Sequence, residues 1–149
     1  MRTLCCVLFF WCCRGQAQEP SGVARSIAES HRLYFQAFVC RDSALFVDRY
    51  ASDCWIMPPN ASALCGEGAP LEYFREAYYV RGVRGGRFIT TDIYGDGDLF
   101  VTEAGFFQLF DAGGAMIDNG KFLVLWKKTP AGWKMFRDSF SSDRDQSFR

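Results

Sequence analysis

With 149 residues, 49% of them hydrophobic and 17% aromatic, the chain has room for one domain and a core that needs no metal or covalent staple. Its 17 basic and 17 acidic residues cancel. That balance removes any broad electrostatic case for nucleic acid or an anionic membrane surface as partner.

Residues 1–17 predict a secretory leader. Arg2 provides a positive start, residues 4–13 form an apolar run, and Arg14-Gly-Gln-Ala17 offers small residues at Gly15 and Ala17 for cleavage. A membrane span needs roughly 20 apolar residues, so no membrane anchor is expected and the protein should be secreted. The mature domain, 18–149, loses Arg2 and Arg14 and keeps 15 basic against 17 acidic residues, a net charge of −2. Four cysteines leave with the leader. Cys40, Cys54 and Cys65 remain, too few and too widely spaced for a zinc site. No metal or cofactor is expected.

A first helix from Ser21 or Gly22 to about Cys40 is predicted by Ala24, Ile27, His31, Tyr34, Phe35 and Phe38, which recur at helical spacing. Asp42 is placed to cap a short second helix bearing Leu45, Phe46, Arg49 and Tyr50. A strand over 53–57, a turn over 58–61 and a short return strand over 62–65 follow. A third helix begins around Pro70 and stops near Gly82. Strands over 87–94, 99–110, 115–128 and 133–140 are separated by short Gly-rich turns, which force antiparallel neighbours. Helices first and a meander afterwards predict an α+β fold, with the helices on one face of the sheet.

On these residues the chain resembles the nuclear-transport-factor-2-like (NTF2-like) superfamily, and within it the SnoaL-like or DUF4440 group. The resemblance rests on the first-helix stripe, Asp42, Tyr50-Ala-x-Asp53, Pro58-Pro-Asn60 and Gly66. Glu103-Ala-Gly105, Gly120-Lys-Phe-Leu-Val-Leu-Trp126, Gly132-Trp-Lys134 and Asp138 extend it over residues 22–143. It implies a cone-shaped domain, three N-terminal helices packed on a curved antiparallel sheet around an internal pocket. It says little about activity, because one cone can host isomerases, cyclases, binding modules and assembly hubs. Ketosteroid isomerase, on this fold, needs a carboxylate base and two acidic hydrogen-bond donors. Setting its Tyr-Ala-Asp-Asp corner on Tyr50-Ala-Ser-Asp53 places the base at Pro58, the oxyanion tyrosine at Tyr34 and the buried acid near Val124. Neither proline nor valine moves a proton, which argues against that reaction.

The candidate pocket residues are His31, Tyr34, Ile56, Pro58, Phe122, Val124, Trp126, Phe136, Asp138 and Phe140. His31, the one histidine, reads either as a hydrogen-bonded core residue or as a pocket group. A last hairpin turning near residue 130 pairs Phe122 with Asp138, Val124 with Phe136 and Trp126 with Lys134. Alternation then puts Asp138 and Phe136 on the face of Val124, which the resemblance implies is the pocket face, and a carboxylate among rings must be paired, hydrogen-bonded or protonated. Glu103 is expected to pair with Lys121 on the outer face. Arg81-Gly-Val-Arg84-Gly-Gly-Arg87 reads as a solvated connection and Gly95-Asp-Gly-Asp98 as a turn without calcium-ligand spacing.

Three functions fit these expectations: a secreted domain binding a small, largely apolar ligand; a small-molecule isomerase, cyclase or hydratase; and a dimerisation or assembly module with a filled cone. Leu123 and Leu125 on the outer sheet face predict a homodimer. Asn60-Ala-Ser62 is a glycosylation acceptor sequence. A tight turn at Pro59–Asn60 would oppose Cys54 and Cys65, within reach of a disulfide.

Overall fold

The computed structural model describes residues 22–95 and 97–144. The expected leader over 1–17 lies outside them. Helix α1 spans Gly22–Cys40 and buries Ile27, Ser30, Tyr34, Phe35, Ala37 and Phe38, a stripe of helical period. It ends where Arg41 takes a left-handed conformation (φ 54) and the Asp42 N–H returns to the Ala37 carbonyl. Asp42 then caps α2 (Ser43–Val47), its Oδ1 accepting the N–H groups of Ala44 and Leu45 at 3.0 and 3.1 Å. The cap, worth about 1 kcal/mol, turns the chain so that Phe46 is fully buried among Tyr34, Phe38, Tyr50 and Phe74.

Strand β1 (Tyr50–Met57) pairs with the short β2 (Leu64–Cys65); α3 (Ala69–Arg75) opens on Pro70 and continues as a π turn over Glu76–Val80. The meander follows as β3 (Gly85–Tyr94), β4 (Phe100–Phe110), β5 (Met116–Thr129) and β6 (Gly132–Ser142). All six strands join one sheet in the order β2-β1-β6-β5-β4-β3. The helices cover its concave face, so the core is a cone filled largely by aromatic rings. Among the described residues no helix is long and apolar enough to cross a membrane.

Three expectations need correction. The sheet is mixed, because β1 runs parallel to β6. Turn residues reveal only pairings with short connections, whereas this one closes over most of the chain. In the β1–β2 hairpin Cys65 stands opposite Trp55 and Leu64 opposite Ile56, one residue from the expected register. Cys54 therefore points into the core while Cys65 lies on the surface, and both are free thiols, as is Cys40. In the last hairpin Thr129 pairs with Gly132, which sets Val124 opposite Asp138 and Phe122 opposite Phe140. A bulge absorbs Phe136, since Leu125 pairs with Arg137 and Trp126 with Met135. Phe136 is thereby turned to the outer face, against Phe100 and beneath Lys127.

Candidate functional site

Alternation along the strands brings acidic groups into the cone in one cross-strand row. Glu103 on β4 faces Val124 on β5, Val124 faces Asp138 on β6, and Asp138 faces Ile56 on β1. The two carboxylates flank Val124 on neighbouring strands, each about 5 Å away across the sheet. The acid missing at Val124 is thus present on both sides of it.

Each carboxylate has its own partners. Tyr50 donates its hydroxyl to Asp138 Oδ2 at 2.8 Å. The buried Tyr34 hydroxyl is coupled electrostatically to Tyr50 and Asp138, so an α1 side chain, the first residue of β1 and a β6 carboxylate form one cluster of groups. Burial pushes Asp138 up to about 6; the Tyr50 donor pulls the other way, Glu103 adds to the rise and His31 opposes it. Burial also raises the hydroxyls of Tyr34 and Tyr50 well above their ordinary value and Tyr73 to about 12. All three stay protonated at neutral pH.

Glu103 is completely buried and accepts Trp126 Nε1 at 2.9 Å and Thr90 Oγ1 at 2.6 Å. His31 Nε2 lies 3.2 Å from the same carboxylate. The expected Lys121–Glu103 pair does not form: Lys121 is on the outer face, bonded to Asp143. Among the described residues no group of three or more His, Cys, Asp or Glu side chains is placed to hold a metal ion.

To one side of this row, towards Phe107 and Leu109, lies a cavity walled by Tyr34, Tyr73, Phe88, Phe107, Leu109, Phe122, Asp138 and Phe140. Its volume is about 20 Å³, room for a single water. Of the expected pocket residues, Tyr34, Phe122, Asp138 and Phe140 reach it. Ile56, Val124 and Trp126 are buried beside it as core. His31 is set back behind Phe88, with ring centroids 4.6 Å apart. Pro58 follows β1 in the turn, away from the cavity, and Phe136 lies outside the cone. Phe88, Phe107, Leu109 and Tyr73 were not among the sequence candidates. For β4 the signal was available: Val101, Glu103, Gly105, Phe107 and Leu109 occupy alternate positions and all turn inward.

Neither a protein-family model nor a curated protein matches the sequence. Solved structures do match the fold. An NTF2-like protein of unknown function from Shewanella oneidensis is 16% identical, with a TM-score of 0.66 over 78% of this chain and 97% of its own. A ketosteroid isomerase-like protein from Erwinia carotovora atroseptica is 17% identical, with a TM-score of 0.66 over 84% and 99%. A domain of unknown function with a cystatin-like fold from Nostoc punctiforme is 12% identical, with a TM-score of 0.70 over 86% and 82%. At these identities the likeness establishes the fold: the chain is an α+β cone of NTF2-like architecture. It does not reach the SnoaL-like or DUF4440 group.

Proposed function

We propose that the cone binds a small, largely apolar molecule and reads one of its polar groups with Asp138 and Tyr34. The observation that supports this reading is a buried acid and tyrosine hydroxyl cluster facing an aromatic cavity. A cone that served only as scaffold would be cheaper to fill with apolar side chains, since burying a carboxylate costs several kcal/mol before its hydrogen bonds offset it. Pockets for small molecules usually measure about 300–1,000 Å³, so a ligand must displace the water-sized void and move the rings that close it. Phe88 is the side chain best placed to swing, because it is half-buried and touches His31, Tyr34, Phe35 and Phe122 through ring contacts alone.

A second reading follows from Asp138. A buried acid pushed up to about 6 can exchange a proton near neutral pH, which suits an isomerase, cyclase or hydratase acting on the same ligand. We further propose that the domain is secreted and glycosylated at Asn60, which is exposed on the turn after β1. Dimerisation would use the outer sheet face, where Ile89, Phe106 and Leu123 are 42%, 49% and 53% exposed.

Native mass spectrometry of the protein secreted from its own kind of cell tests the ligand reading. A co-purifying small molecule that is lost from Asp138→Asn and Tyr34→Phe supports it. A protein that carries nothing, and whose Phe88 and Phe122 resonances do not move with any member of an aromatic fragment set, rejects it.

A further inference from the structure

The three arginines of Arg81-Gly-Val-Arg84-Gly-Gly-Arg87 have different fates in the fold. Arg87 donates to Gln108 on the surface at 2.7 Å. Arg84 stacks over the Tyr78 ring, 3.7 Å from its centroid, and gives its Nη1 to the carbonyls of Tyr78 and Val83. Arg81 turns the other way, towards the cone. Its charge acts on the hydroxyls of Tyr73, a wall residue of the cavity, and Tyr34.

Local backbone geometry puts it there. The Arg81 N–H closes the π turn on the Glu76 carbonyl at 3.0 Å, one residue wider than an α turn. Gly82 then takes φ 77, a value suited to glycine, and the Val83 N–H returns to the Ala77 carbonyl. Such wide turns recur at functional sites.

The guanidinium has five donors and little to spend them on. Beyond Tyr73, its charge partner among the described residues is Asp118, whose Oδ2 stands 3.7 Å away, too far for a hydrogen bond. Asp118 does not depend on that contact. Its Oδ1 accepts the Ser142 hydroxyl at 2.6 Å and the Asn119 N–H at 2.8 Å. Leu109 faces Asp118 across the sheet, and Phe140 lies two residues before Ser142, so this pair borders the cavity at the end away from Glu103 and Trp126.

We propose that Arg81 is the anion-reading end of the ligand site and that the ligand is a small aromatic carboxylate. This rests on the ligand-binding reading above. The carboxylate would sit on the guanidinium, whose planar fork matches two oxygens. The ring would lie among Phe88, Phe107, Phe122 and Phe140, and a hydroxyl at its far end would meet Asp138 and Tyr34. Asp118 can remain on Ser142 while Arg81 changes partner, so no buried group is orphaned by binding.

The test titrates para-hydroxyphenylacetate and its neutral isostere para-hydroxyphenylacetamide into the full chain, reading aromatic resonances by NMR. We expect the carboxylate to bind at least about tenfold tighter than the amide. Arg81→Gln should abolish that difference, Arg81→Lys should keep part of it, and Asp118→Asn should strengthen carboxylate binding. A purely structural Arg81–Asp118 contact would instead lower the melting temperature in both variants without changing the preference. Equal binding of the two probes, or a preference that survives Arg81→Gln, overturns the anion site and leaves the cone reading standing. If neither probe perturbs the cone rings at millimolar concentration, this inference fails, while the cone reading falls only if the fragment set described above is silent as well.

Discussion

Replacing Asp138 by Asn should change how stability depends on pH. Asp138 is buried, and its folded-state value is about 6 against an ordinary 3.8. Between those values the folded protein holds a proton that the unfolded chain has released. Folded protein therefore binds more protons than unfolded, and stability falls as pH rises through this window. At 1.36 kcal/mol per unit, the difference amounts to about 3 kcal/mol, absent below pH 4 and fully present above pH 6. Asn at the same place still accepts from Tyr50 and never ionises. The stability of Asp138→Asn relative to wild type should thus grow by about 3 kcal/mol from pH 4 to pH 7, roughly 10 °C in melting temperature for a domain of this size. Asp48 and Asp53 are held below the ordinary range by Lys134 and Lys127 and push stability the other way with pH. They are common to both proteins and cancel in the comparison. Thermal melts by circular dichroism at half-unit pH steps provide the measurement. Parallel profiles for the two proteins would show that Asp138 is not buried in ionised form, and the argument would fail.

Tyr50→Phe removes the donor that restrains Asp138, so the carboxyl should titrate above 6 by NMR and stability at pH 7 should fall by about 1–3 kcal/mol. In native protein, alkylation should label Cys40 and Cys65 and spare Cys54, whose thiol is completely buried and pushed up to about 11; equal labelling of all three, or a Cys54–Cys65 crosslinked peptide, would contradict the register. A Cβ at Gly105 would stand 2.3 Å from the Ile89 carbonyl oxygen and 2.9 Å from Phe122 Cζ, so Gly105→Ala should cost about 1–3 kcal/mol in urea unfolding. Leu123→Glu should make the protein monomeric in sedimentation with the helical signal intact; a wild-type monomer at high micromolar concentration would remove the dimer.

Local pattern alone set much of this protein. The stripe from Ile27 to Phe38, the Asp42 cap, the Pro70 helix start and the four long strands were legible because each depends on neighbours within a few residues. The resemblance added the cone, and the inward turn of Asp138 survived a register error because that error was an even number of residues. Tertiary structure decided the rest. A single bulge at Phe136 reversed one side chain, and a one-residue shift in the β1–β2 hairpin parted Cys54 from Cys65. The parallel β1–β6 pairing joins Ile56 to Asp138, 82 positions on, with no turn between them to read. Glu103 looked like a surface partner for Lys121 because charge favours that reading locally. Its true environment, Trp126, Thr90 and His31, comes from three other elements. Strand alternation has a period of two, so the face of any side chain depends on every bulge before it. Only the folded sheet settles where those bulges fall.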